Sequence, residues 1–169
     1  MEITVPLKGT VISDHFATMH IEHHRDRFTV STDPAKLDVV AIHEFLTNCY
    51  WSEGIPKEIV ERGMKHSLCF GLYDDGKQIG FARVISDFTT YAYLCDVYVL
   101  ESFRGKGLGA WLMSCVMKHP DLQGLRRFTL LTRDAHGLYQ KFGFAAAKNP
   151  TRYMEIHFAD IYKKLKKEK

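Results

Sequence analysis

A chain of 169 residues with 46% hydrophobic, 25% charged and 12% aromatic side chains has the composition of one ordinary globular domain, which excludes collagen-like, disordered and multidomain organisations. Its formal charge is +3, and the tail from Asp160 to Lys169 holds five Lys against Asp160 and Glu168, so the rest of the chain sums to zero and no nucleic-acid partner is expected. Cys49, Cys69, Cys95 and Cys115 are isolated, with no C-x-x-C pair and no Cys/His cluster, which predicts a reducing cytoplasmic compartment and no metal; no apolar run reaches the roughly 18 residues of a membrane span.

Residues 1–27 carry no firm element and read as an extension of unknown role, although His20, His23 and His24 have helical spacing. From Asp33 the signals sharpen. Pro34 opens a first helix over about 34–48, with Leu37, Val40, Ala41 and Phe45 on its apolar face. Pro56 opens a shorter second helix with Gly63 near its end. Ser67–Tyr73 and Ile79–Ile85 flank an Asp-Asp-Gly-Lys turn and form a hairpin. A third strand, 91–100, is expected to lie centrally in the sheet. Leu108, Trp111, Leu112, Cys115 and Val116 then repeat at i, i+3, i+4, i+7 and i+8, which predicts an amphipathic helix ending near His119-Pro120. Strand 127–131, a short helix 136–142 stopped by Gly143, and a last strand 152–156 complete the order. The fold class is α/β, a mixed sheet with helices on its faces.

Arg104-Gly105-Lys106-Gly107-Leu108-Gly109 joins the third strand directly to the amphipathic helix, so successive backbone N–H groups and the positive end of the helix dipole converge on one point. Such a turn suits a phosphate or diphosphate. It is no Walker A loop, because no lysine followed by Ser or Thr comes after the glycines. A dinucleotide fingerprint is met by Gly105, Gly107 and Ala110, but Asp121 falls in a loop rather than at the end of the next strand, and too little chain follows for a doubly wound sheet.

The strand Val97-Tyr98-Val99, the loop Arg104-x-x-Gly107-x-Gly109 and the later Leu138-Tyr139-Gln140-Lys141-Phe142-Gly143-Phe144 together resemble the GNAT superfamily of acetyl-CoA-dependent N-acetyltransferases. The resemblance covers about residues 28–157, leaving 158–169 as a lysine-rich tail, and implies a mostly antiparallel sheet splayed at the cofactor. It implies that Arg104, Gly105, Lys106, Gly107, Leu108, Gly109 and Ala110 hold the CoA diphosphate. The backbone of Val97, Tyr98 and Val99 would pair with the pantetheine arm, which enters the sheet like an added strand. Glu101 stands where the family often has proline. Thr132 replaces a common Asn, so Asp134 and His136 are the expected pantetheine contacts in that segment.

Acetyl transfer requires an unprotonated amine, a polarised thioester carbonyl and an acid for the departing thiolate. The resemblance assigns the acid to Tyr139. Asp96 and Glu53 are candidates for the base or for acceptor recognition, and an ion-paired structural role for each stays open. Tyr50 and Trp51, between the first two helices, border the expected acceptor pocket, with Phe81, Tyr91 and Tyr93 extending its wall; packing of the helix pair is the alternative for all of them. The implied partner is a small-molecule amine, and a homodimer is compatible with the reading. A non-catalytic acyl-CoA-binding module and a nicotinamide-dependent oxidoreductase are the alternatives.

Overall fold

The computed structural model describes residues 20–167. Residues 1–19 of the unassigned stretch and 168–169 of the lysine tail lie outside the described residues. The first described element is a hairpin of β1 (Glu22–Arg25) and β2 (Phe28–Ser31). It places His23 and His24 on a strand, correcting the helical spacing expected for them, and the sheet thus begins before residue 28. The described residues contain no His/Cys/Asp/Glu group fit to hold a metal ion.

The helix expected over 34–48 divides because two aspartates cap in succession. The Asp33 carboxylate accepts from the Ala35 N–H and starts a 3-10 turn, Pro34–Lys36; Leu37 is extended; Asp38 then accepts from the Ala41 N–H and starts α1 (Val39–Leu46). α2 spans Lys57–Lys65 with Pro56 at its N-cap. β3 (Leu68–Asp74), β4 (Lys77–Ser86) and β5 (Tyr91–Val99) follow as a meander. α3 (Leu108–Lys118) leads to β6 (Arg127–Leu130), then α4 (His136–Gln140) and α5 (Ile161–Lys167). The strand expected at 152–156 is absent. Pro150 starts a 3-10 turn instead, and Tyr153, Met154 and Ile156 beyond it are exposed, so no apolar burial holds that segment in a ladder.

One six-stranded sheet runs in the order β1 to β6, antiparallel throughout except for the parallel β5–β6 pair formed by the α3 crossover. β5 is therefore an inner strand, next to last. This succession of antiparallel neighbours is not a doubly wound parallel sheet. Ile42 and Leu46 of α1 and Val60 of α2 cover one face through Phe81 and Tyr98. Leu108, Leu112, Met113 and Val116 of α3 cover the other, against Phe70, Leu72, Val84 and Leu94. Each such side chain removed from water contributes roughly 1.5–3 kcal/mol. Among the described residues no helix is long and apolar enough to cross a membrane.

Two irregularities shape β5. Gly80 faces Val99, and a Cβ there would stand 2.7 Å from the Tyr98 carbonyl oxygen, so β4 and β5 approach as closely as only glycine permits. Further along, Asp96 and Val97 together oppose Ala82, a β-bulge in which Asp96 adopts φ 55. The Arg83 Nε donates to Asp96 Oδ2 at 2.7 Å, and Arg83 Nη1 donates to Ser67 Oγ at 3.1 Å. Both members of the pair are largely withdrawn from solvent, at 20% and 12% side-chain exposure.

Gly80→Ala is expected to lower stability by about 1–3 kcal/mol in urea unfolding, because a backbone carbonyl is the atom that must yield. Arg83→Met leaves the largely buried Asp96 carboxylate without its cation and should cost about 3 kcal/mol, part of which returns when Asp96→Asn is added. A loss below about 1 kcal/mol for Arg83→Met, the scale of an exposed pair, would show that the bulge stands without it.

Candidate active site

The turn between β5 and α3 has the geometry its glycines suggest. Gly105 and Gly107 have φ 77 and 73, where an L side chain is strained, and Gly107 is the N-cap of α3 with no side-chain cap. A methyl on Gly109 would meet nothing closer than Val99 Cγ2 at 3.9 Å, so no contact within the described protein calls for glycine there. The backbone at 105–110 thus forms an open cradle at the amino end of an eleven-residue helix. The Leu108 side chain turns inward, 1% exposed, leaving only its main chain for the cradle. Lys106 Nζ lies 5.1 Å from the Phe103 ring centre, and Arg104 Nε donates to the Val99 carbonyl at 3.1 Å. Arg104 therefore ties the loop to the strand end as well as charging its rim.

β6 pairs with only the first part of β5, from Tyr91↔Arg127 to Leu94↔Leu130. The ladder stops at Leu94, just before the bulge, where β6 itself ends. The Leu100 N–H donates to Ile79 O, and because bonded pairs alternate in an antiparallel ladder, Tyr98 directs its own N–H and C=O to Phe81 on β4. This corrects the expectation that all three backbone units face the cofactor. By the same alternation Val99 turns its N–H and C=O away from β4, and its carbonyl is occupied by Arg104. The Tyr98 ring is buried and stacks on Phe45, with centroids 3.6 Å apart.

Tyr139, on α4, is 9% exposed and shares a core cluster with Val99 and Leu108. Burial, followed by the influence of Tyr50 and Asp134, pushes its phenol up to about 12, so it holds its proton throughout the neutral range. Tyr50 and Trp51 are exposed and edge-to-face, with centroids 4.9 Å apart. Trp51 Nε1 donates to Asp96 Oδ1 at 3.3 Å, drawing the α1–α2 loop down to the bulge. The Arg133 guanidinium lies 3.8 Å from the Tyr50 ring centre and so links this loop to the segment between β6 and α4.

Other expected residues stand elsewhere. Phe81 is fully buried beneath α1 and α2, within the core, and cannot line an acceptor wall. Glu53 is exposed and paired with Lys163 of α5 at 3.0 Å. Both border a cavity of about 490 Å³ together with Thr47, Cys49, Tyr50 and Gly54. Asp134 and His136 are exposed, and Asp134 lies 3.6 Å from Arg133. Asp96 carries the ion pair weighed as its alternative role. Reading the sequence missed Arg83 and Arg133, whose partners lie across the sheet or on another loop and leave no local pattern.

The sequence profile of the acetyltransferase (GNAT) family matches residues 39–144. A candidate acetyltransferase of Gibberella zeae is 34% identical over 140 residues, covering 69% of this chain and 78% of that protein. The crystal structure of a candidate GNAT-family acetyltransferase from Xanthomonas campestris pv. campestris is 51% identical and superimposes with a TM-score of 0.78, over 80% of this chain and 96% of that one. A GNAT-family acetyltransferase from Elizabethkingia anophelis, crystallised with acetyl-CoA bound, shares the fold at a TM-score of 0.57 and 17% identity, over 79% of this chain and 90% of that one. The glycine cradle, the unpaired end of β5 and these matches converge: the chain belongs to the GNAT family of acetyltransferases.

Proposed function

We propose that the chain moves an acetyl group from acetyl-CoA to the primary amine of a small molecule by direct attack, with both substrates held at once. The observation that carries the reading is that the αL glycine cradle, the unpaired half of β5 and the buried Tyr139 converge on one core cluster. Bound acetyl-CoA supplies an acyl group activated as a thioester, with a thiolate as leaving group.

The residues fit that ligand. Backbone N–H groups of Gly105 to Ala110 hold the diphosphate, with Arg104 and Lys106 at the rim. The Val97 backbone pairs with the pantetheine amides, supported by the exposed Asp134 and His136. Tyr139 keeps a proton on Oη and donates it as negative charge develops on sulfur. Asp96 is committed to Arg83 and Trp51, so its task is to hold the bulge and the acceptor-side loop rather than to collect a proton. The amine loses its proton to water, and Tyr50 and Trp51 offer it an aromatic flank. Glu53 stands at the outer edge of that pocket beside Lys163.

The thiols argue for direct attack. Burial, the leading influence in each case, raises Cys49 and Cys115 to about 11 and Cys69 and Cys95 to about 12. None presents a thiolate at neutral pH for a covalent acyl carrier.

Tyr139→Phe should lower kcat by about 100-fold or more in an assay of CoA release over a panel of primary amines, with acetyl-CoA affinity within about twofold of wild type. Unchanged kcat removes Tyr139 from the mechanism. Because the phenol titrates near about 12, its neutral, donating form persists as pH rises. kcat/KM should therefore climb with deprotonation of the amine and show no falling limb below about pH 10. A fall near pH 8 would assign the acid to another group.

A further inference from the structure

Outside the motifs, the side chain most closely engaged with the cradle comes from the opposite edge of the sheet. Arg25, the last residue of β1, lies far from the glycine loop in sequence, yet its Nη2 donates to the Lys106 carbonyl at 3.3 Å. Its guanidinium carbon also lies 4.9 Å from the centre of the Trp111 ring, on the first turns of α3. The hairpin that carries it is fastened independently. Arg27 is ion-paired with Asp74 and, at 3.1 Å, with Asp75 in the β3–β4 turn, and the Asp75 N–H donates back to the Arg27 carbonyl at 3.1 Å.

We infer that Arg25 is a positioning residue for the cofactor cradle, an inference that rests on reading the cradle as the CoA diphosphate site. The Lys106 carbonyl that accepts from Arg25 and the Gly107 N–H belong to one planar amide. A cationic donor on the oxygen fixes the plane of that amide and polarises its N–H, strengthening it as a donor to an anion. The need is local: Gly107, at φ 73, has wide conformational freedom and no side-chain cap of its own. The guanidinium lies over the Trp111 ring at the helix start while one of its N–H groups reaches the loop, a pairing of two contacts suited to a planar fork rather than an ammonium. Arg25 acts from behind the loop and needs no contact with the ligand.

The test is calorimetric titration of CoA into wild-type protein, Arg25→Ala and Arg25→Lys, at 0.1 M and 0.5 M salt, well below the melting temperature of each variant. Arg25→Ala should bind CoA about tenfold more weakly, the scale of one lost charge-assisted hydrogen bond. That deficit should persist in 0.5 M salt, which screens distant charges but not a short contact. Arg25→Lys keeps the charge without the planar fork and should bind more weakly than wild type. A merely structural Arg25 would lower the melting temperature and leave the affinity of folded protein unchanged, which overturns the inference. A deficit that vanishes in high salt, or full rescue by lysine, reduces Arg25 to a point charge and overturns it as well. If wild type binds no CoA, the reading of the cradle falls and this inference with it; if wild type binds and Arg25→Ala binds equally, only this inference falls.

Discussion

The pair between Arg83 and Asp96 is the constraint from which the rest of the site follows. A left-handed aspartate inside a strand is an unfavourable conformation, and it persists because a guanidinium from the neighbouring strand fixes its carboxylate at 2.7 Å while Ser67 fixes the guanidinium in turn. The extra residue at that point turns β5, and the parallel ladder with β6 ends two residues earlier, at Leu94. β6 is four residues long and paired along its whole length, so the edge of β5 beyond Leu94 is left open beside the glycine cradle. The same carboxylate receives Trp51, so the bulge also sets the height of the acceptor-side loop. One ion pair thus shapes both halves of the site.

The cradle follows a different logic, because its ligand-facing atoms are main chain. Side chains there control how the peptide planes are held: Arg104 fastens the loop to the Val99 carbonyl, Leu108 plugs the first turn of α3 into the core, and Arg25 reaches the Lys106 carbonyl from β1. Anion affinity is a property of backbone orientation and helix dipole, and these supports convert a glycine-rich turn from a flexible segment into a fixed arrangement of donors.

Local features of the sequence were legible where the cause was local. The Asp-Asp-Gly-Lys hairpin, the one-face repeat of α3 and the glycine turn each depend on neighbours within a few residues, and each forms where expected. The split of the first helix is not legible in the apolar spacing, which runs on past Asp38 although that residue caps a second start. β1 was illegible because Glu22–Arg25 is an edge strand of polar residues throughout and carries no apolar signal. The strand expected at 152–156 finds no partner in the sheet, and its apolar side chains stay exposed. Within the candidate site, the loop and Tyr139 stand out in the sequence through their motifs, whereas the burial of Phe81 and the backbone direction of Tyr98 do not: strand period alone does not say which face, or which backbone direction, a given residue serves once a bulge intervenes.

On the proposed function, this division would put acceptor recognition in a different part of the chain from cofactor binding. The cofactor side is built from backbone donors within the family motif. The acceptor side is built from side chains that meet only in three dimensions: Tyr50 under the Arg133 guanidinium, Trp51 on Asp96, and Glu53 on Lys163 of the last helix. The Tyr50 and Glu53 contacts tie the α1–α2 loop to segments lying after β6, one of them beyond the matched region, so substitutions there reshape the pocket without disturbing the cradle or the bulge. Arg133 and Lys163 also place cations on the aromatic and carboxylate groups that would otherwise attract a positively charged guest, so the entering amine must compete with the chain's own side chains at those positions. On that reading, selectivity for the acceptor would depend on how strongly these two contacts hold, a property of the loop and the tail rather than of the motif.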